Sequence, residues 1–189
     1  MGAHGHGAEE DKAVVSIFVV SSTRTLADDT SGSMIALMLQ GAGHQVVDRR
    51  VISDDVTAIR AAVSACGSDV VILTGGTGLT ATDVTPEALA TLYTRPMDGF
   101  GEIFRMLSFH DIGPAAMLSR ASAGLVGGTM VFSLPGSRSA CQLAMERLVV
   151  PEIGHLLHLI SRDADLPAEA PTTYDDDQQT VDTGSDGSE

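Results

Sequence analysis

Residues 73–87 read LTGGTGLTATDVTPE, a strand end, a glycine-rich turn, a lone acid and a helix start in immediate succession. Asp69–Leu73 (DVVIL) leads in, a run of β-branched and aliphatic residues of the kind that forms a buried parallel strand. Thr85 is the expected N-cap of the next helix, and Pro86 suits its first position. Between them lie Gly75, Gly76, Thr77 and Gly78, then Asp83. Glycines let the backbone turn tightly and bring its N–H groups up to phosphate oxygens. A carboxylate beyond such a cradle repels phosphate directly, but it can hold a divalent cation that binds phosphate. The stretch is neither a Walker A loop, since no Gly-Lys-Ser/Thr follows, nor a dinucleotide fingerprint. A turn made of glycine for steric reasons alone is the competing reading, and the rest of the chain decides between them.

Working outward, Ala13–Val20 (AVVSIFVV) is a second continuous apolar strand, ending in the polar loop Ser21–Arg24. Asp28, Asp29, Thr30 and Ser31 offer capping groups for a helix over 31–41, which Gly41 and Gly43 stop. A strand over 46–52 runs into Ser53-Asp54-Asp55, and a helix over 55–66 follows. Strand, helix, strand, helix, strand is most economically a parallel sheet covered on both faces. The fold class is therefore α/β, a three-layer sandwich with a mostly parallel central sheet. Beyond the glycine loop, Pro96–Phe104 opens a short helix, and the runs 123–126 and 129–134 read as a hairpin whose second arm rejoins the sheet. Ser137 is a candidate cap for the next helix, and Pro151 is expected to break it before a terminal helix over 152–160. His155 and His158 share a face of that last helix, as a packed or semi-exposed pair rather than a metal site.

Four polar or glycine-rich loops thus close four strands: 21–24, 53–55, 75–83 and 134–137. In open α/β sheets, ligands sit outside the carboxyl ends of the strands at the switch point. Those loops would supply glycine cradles, the carboxylates Asp54 and Asp83, and several hydroxyls, a set suited to a substrate with more than one phosphate, bound with Mg²⁺.

The chain has 189 residues and a formal charge of −14. Residues 163–189 carry nine acids and no Lys or Arg; residues 13–162 carry thirteen acids against ten arginines. The acidity is thus concentrated at the ends, which divides the chain into a flexible start (1–12), one α/β domain (13–162) and an acidic disordered tail (163–189). His4 and His6 fall in the first of these. An acidic protein without a basic stripe is not expected to bind nucleic acid. No apolar run reaches the ~20 residues of a membrane span, and the polar start is no signal peptide, so the expected location is cytoplasmic. Lys12 is the only lysine and tryptophan is absent; with the acidic excess, this suggests a halophilic source. Cys66 and Cys141 form no CxxC pair and read as small apolar residues within helices.

Several blocks in order carry a resemblance: TGGTGLTATDVTPEAL, GFGEIFRMLSFHDIG, LSRASAG and SLPGS, with DDTSG at 28–32 and Gly43-His44 upstream. Together they resemble the MoaB/MogA family of molybdenum-cofactor biosynthesis, most closely its MoaB branch, from about residue 13 to 160. The resemblance implies a trimer or dimer of trimers that adenylylates molybdopterin with MgATP and releases pyrophosphate; a second metal-inserting domain, fused in some relatives, does not fit in this chain, so metal insertion would fall to a separate downstream protein. Carried over by position, Gly75, Gly76, Thr77 and Gly78 would cradle phosphate, and Asp83 and Asp54 would be the two functional acids, assigned to Mg²⁺ and water. Ser119, Ser133, Pro135, Gly136 and Ser137 would meet the pterin phosphate and dithiolene side. Ser21, Ser22 and Glu102 are weaker candidates for the nucleotide; many relatives have an acid or amide where this chain has Ser22. Arg105 and Arg120 are candidates for phosphate neutralisation or for pairing between subunits. The alternatives are a non-catalytic member that binds and passes on molybdopterin, and an unrelated phosphate-binding protein. The final metal would be molybdenum or tungsten.

Overall fold

The computed structural model describes residues 12–164, with side-chain placement to Arg162; the expectations for the first residues and for most of the acidic tail lie outside the described residues. The apolar runs form strands β1 (Val14–Val20), β2 (Gln45–Ile52), β3 (Val70–Thr74), β4 (Arg95–Pro96), β5 (Ser122–Val126) and β6 (Thr129–Leu134). They make one sheet in the order β2-β1-β3-β6-β5-β4. β2, β1, β3 and β6 run parallel, while β5 is antiparallel to β6 and to the short edge strand β4. The hairpin's second arm thus rejoins the sheet beside β3, as expected.

Both faces are covered because the central strands are apolar at successive positions, one residue to each side. Val15 and Ile17 of β1, Val70 and Ile72 of β3, and Met130 and Phe132 of β6 face one layer. That layer comprises helices α1 (Thr30–Gly41), α4 (Asp98–Ile112), α5 (Arg138–Ala144) and α6 (Val150–Ala164). Phe18, Val20, Val71, Leu73 and Val131 face the other, formed by α2 (Val56–Ser64) and α3 (Thr85–Ala90). Phe100 packs edge-on against Phe132, with centroids 5.3 Å apart, and anchors α4 to the sheet.

Four local expectations are corrected. α4 is not short: Phe100, Phe104 and Ser108 keep the i, i+4 spacing on its buried face, and the helix runs to Ile112 before Gly113 ends it at φ 63°. Pro151 does not break the helix. A π-helical turn over Met145–Val149 joins α5 to α6, so the proline, with no N–H to give, falls in the first turn after it, where the shifted ladder absorbs the loss. Thr85 is not the N-cap: Val84 is, and the Thr85 hydroxyl instead donates to the Gly75 carbonyl at 2.9 Å. Cys66 lies past the end of α2, half-buried against its core layer, whereas Cys141 is buried within α5.

Candidate functional site

Because β2, β1, β3 and β6 are parallel, their carboxyl ends share one edge, and the loops that follow meet there. The chain leaves β1 towards β2 and returns from β2 to β3 on the other side of β1. β1 and β3 therefore flank a topological switch point, the usual place for a ligand crevice. The glycine turn sits on it. Gly75 has φ 110° and Gly76 φ 64°. A Cβ on Gly75 would overlap the Val20 carbonyl at the end of β1, and one on Gly76 would lie 2.5 Å from the Thr85 hydroxyl oxygen. Only glycine combines that backbone with that proximity. The Gly75 N–H donates to the Leu134 carbonyl at 3.0 Å, and the Thr85 N–H to the Gly76 carbonyl at 3.1 Å.

Each neighbouring loop is pinned to this turn or to the next strand's loop. The Thr74 hydroxyl and the Cys141 thiol both donate to the Pro135 carbonyl, at 2.9 and 3.0 Å. Burial pushes the Cys141 thiol pKa up, so it acts as a buried donor and not as a nucleophile. Gly136 approaches Gly75 closely, and its carbonyl accepts from Ser31 at the start of α1. Across β1 and β2, the Ser22 N–H donates to Asp54 Oδ2 at 2.6 Å and the Asp54 N–H to the Ser22 hydroxyl at 3.3 Å. Ser22 thus ties the first loop to Asp54. Beneath it, Asp29 caps α1 by accepting from the Gly32 N–H at 2.7 Å and pairs with Arg49 at 2.9 Å.

Asp83 is half-buried, and its side chain turns back on its own loop rather than capping α3. Its Oδ2 accepts from the Thr80 hydroxyl at 2.5 Å and the Thr80 N–H at 2.9 Å. The Thr80 hydroxyl, foremost, then the N–H groups of Thr80 and Gly78 and the Arg120 charge, hold its carboxyl below the usual range against the opposing effect of partial burial. Asp83 is an anion at neutral pH.

The structure gathers Ser21, Ser22, Asp54, Gly75–Gly78, Asp83 and Pro135–Ser137 along the carboxyl edge. Ser137 occupies the cap position of α5, but its hydroxyl makes no capping bond. Ser133 lies inside β6, paired in register with Leu73 and Ser122, and its buried hydroxyl has no protein partner. Ser119 and Glu102 belong to an adjoining cleft of about 720 Å³, lined also by Pro86, Tyr93, Arg105 and Arg120. Tyr93 bonds Ser122 at 3.1 Å on its wall, and burial pushes the phenol pKa up to about 12. Arg120 stands between cleft and glycine loop: Nε donates to the Gly78 carbonyl and Nη2 to the Asp83 carbonyl, both at 2.7 Å, and Nη1 to the Glu87 carboxylate. In the sequence Arg120 reads as a charge for phosphate or for pairing between subunits, and this role is not apparent. Nor is that of Thr80, although the Thr80-x-x-Asp83 spacing is the signal that would have found it.

A glycine turn at the switch point of a mostly parallel sheet, with partly exposed carboxylates along the same edge, defines an open-sheet α/β domain of the kind that binds its ligands at that edge. A family model described as "Probable molybdopterin binding domain" matches residues 16–155. The chain belongs to that family, within its MoaB/MogA group. It is similar to Molybdenum cofactor biosynthesis protein B of Escherichia coli K12, with 48% identity over 143 residues, covering 74% of this chain and 84% of the relative. The protein of the same name from Halalkalibacterium halodurans is 42% identical over 169 residues, covering 86% and 99%. Among solved structures, one of Molybdenum cofactor biosynthesis protein B superposes with TM-score 0.79 at 42% identity, covering 82% of this chain and 99% of that one. The tungsten cofactor synthesizing protein MoaB from Pyrococcus furiosus gives 0.70 at 32%, covering 79% and 98%. Among the described residues no helix is long and apolar enough to cross a membrane.

Proposed function

We propose that this protein acts in the cytoplasm in molybdenum- or tungsten-cofactor biosynthesis, and that its reaction is the Mg-ATP-dependent adenylylation of molybdopterin. The observation that supports this reading is that four strand-end loops lie along one edge of the sheet, with the glycine turn at the switch point, Asp83 in that turn's loop and Asp54 tied to the neighbouring loop through Ser22. In the reaction, an oxygen of the pterin's terminal phosphate attacks the α-phosphorus of ATP. One P–O bond forms, the α–β phosphoanhydride breaks, and pyrophosphate leaves. The attacking phosphate is already ionised, so no general base is required. The obstacle is repulsion between two anions, and it falls to fixed donors to reduce it.

Within the Gly75–Gly78 cradle the N–H groups of Gly76 and Thr77 are the donors, since that of Gly75 is given to Leu134 and that of Gly78 to Asp83, bonds which with the Thr85 contacts hold the turn rigid. Ser119 and the 133–137 turn receive the pterin side, with the unpartnered Ser133 hydroxyl the buried polar group a ligand or water would satisfy. Ser21, Ser22 and Glu102 serve the nucleotide. Asp54 and Asp83 fit Mg²⁺, which uses one or two protein carboxylates and completes its shell from phosphates and water. When bound, Mg²⁺ screens the triphosphate charge. The ionised state of Asp83 is already secured by Thr80. The protein works as a homo-oligomer and hands its product to a downstream metal-insertion protein.

A second reading has one observation in its favour. Both carboxylates already accept hydrogen bonds from their own loops, Asp54 from Ser22 and Asp83 from Thr80, which also suits a non-catalytic carrier of molybdopterin. Incubation with molybdopterin, ATP and Mg²⁺ separates the two. Adenylylated pterin and stoichiometric pyrophosphate are expected; pterin binding with neither product would establish the carrier.

A further inference from the structure

We infer that Arg120 is the positioning residue of the glycine loop, acting through the fixed fork of its guanidinium rather than through its charge. The inference rests on the reading of Gly75–Gly78 as a phosphate-receiving loop. A turn containing three glycines loses much conformational freedom when ordered, and it needs a brace from outside itself. Residue 120 supplies one at four points. Its own N–H donates to the Thr77 carbonyl at 3.0 Å. Its Nε and Nη2 hold the Gly78 and Asp83 carbonyls, each at 2.7 Å, which are the two ends of the turn that Asp83 closes on Thr80. Its Nη1 is tied to Glu87 in the first turn of α3.

This geometry argues against Arg120 as a phosphate ligand. Donors on all three guanidinium nitrogens are directed to the loop and to α3. The charge is countered by Glu87, whose carboxyl the Arg120 bond holds below its usual pKa. Two carbonyls and one carboxylate in fixed positions match a planar fork, whereas a lysine ammonium offers one point charge on a flexible stem. Arg120 also lines the adjoining cleft, so the element that shapes the loop is in contact with the space beside it. A ligand in that cleft would meet the brace, not a spare cation.

The test compares Arg120→Lys and Glu87→Ala with the parent, full-length chain, by amide hydrogen exchange and by adenylyl transfer. Arg120→Lys keeps the charge and loses the fork. Exchange over residues 76–85 is expected to accelerate about tenfold or more, with β1 and β3 unchanged. Turnover is expected to fall about 10–100-fold, chiefly in kcat rather than KM for ATP, as for a misplaced catalytic loop. Glu87→Ala, which removes one anchor, should accelerate the same amides about two- to fivefold. Parent-like exchange and turnover in Arg120→Lys would overturn the inference and make Arg120 a simple charge. Should Arg120→Lys fail to fold, parent-like exchange in Glu87→Ala would overturn it instead. If the parent shows no adenylyl transfer, the catalytic reading fails by itself, and the exchange data still decide the role of Arg120.

Discussion

At the scale of single residues, Asp83 separates chemistry from local structure. Its Oδ2 serves Thr80 in any case, so Asp83→Asn, which keeps an acceptor of the same size, should leave the loop in place while removing the charge. If Asp83 holds the cation on the ATP phosphates, adenylyl transfer falls by about 10²–10³ at saturating Mg²⁺, and pterin binding changes far less. Near-normal turnover would reduce Asp83 to a turn residue. The same side chain has a pH consequence. Its folded pKa lies below the unfolded value, so its contribution to loop stability is complete above the unfolded value and is lost as pH falls through the folded one. Exchange over 76–85, corrected for intrinsic rates, should be flat from roughly pH 5 to 8 and accelerate below about pH 4, and Asp83→Asn should abolish that acid limb. Gly75 makes a structural prediction. With φ 110° and the Val20 carbonyl against its α-carbon, Gly75→Ala should cost about 2–4 kcal/mol, read from the urea midpoint at unchanged slope. A loss below about 0.5 kcal/mol would mean the turn relaxes freely. Gly75 and Asp83 were legible in the sequence because their chemistry is local. Arg120 was not, because its partners stand 37 and 42 positions away and nothing near residue 120 announces them.

At the scale of elements, what could be read was what periodicity and composition control. The strands 14–20 and 70–74 are apolar on both faces because both faces are buried, and such runs have few alternatives; the edge strand 45–52, only partly buried, carries Asp48, Arg49 and Arg50 between its apolar residues. The hairpin's return to the sheet was legible from Gly127-Gly128 between two short apolar arms. Helix ends were less so. Pro151 reads as a break because a proline removes one bond of an α-ladder. Whether the ladder shifts by one residue to absorb that depends on packing, here Met145, Val149 and Ile153 buried against the sheet. The π turn makes a specific prediction. Pro151 is exposed, so Pro151→Ala should restore a donor without opening a cavity. Its effect should run from neutral to a gain of at most ~3 kcal/mol, the cost of a helix-interior proline. A thermal melt showing clear destabilisation would mean that the proline secures the π turn rather than merely tolerating it.

At the scale of the whole molecule, one face of the described chain is unlike the rest. Ile103, Met106, Phe109 and Ile112 recur every three residues along α4 and leave much of their surface in water, Met106 at 56% and Ile112 at 60% exposed. Met117, at 76%, and Leu118 extend the stripe through the 3₁₀ turn that follows. Large side chains exposed to this degree in one continuous stripe, rather than scattered singly, are the feature that marks an interaction surface. From the MoaB/MogA resemblance a trimer or a multiple of one is expected, and a second copy is the occupant proposed for this face. Its position matters for function, because Met117 also lines the cleft beside Arg120. A neighbour seated on the stripe would therefore border the cleft. Light scattering should give a trimer or a multiple at micromolar concentration. A charge placed within such a surface is left buried and unpaired, so Phe109→Glu and Met106→Glu should each shift the protein towards monomer while leaving its circular dichroism unchanged. A parent that is monomeric throughout that range would remove the oligomer altogether. A trimer untouched by either substitution would show that the copies meet elsewhere and that α4 presents its stripe to a different partner.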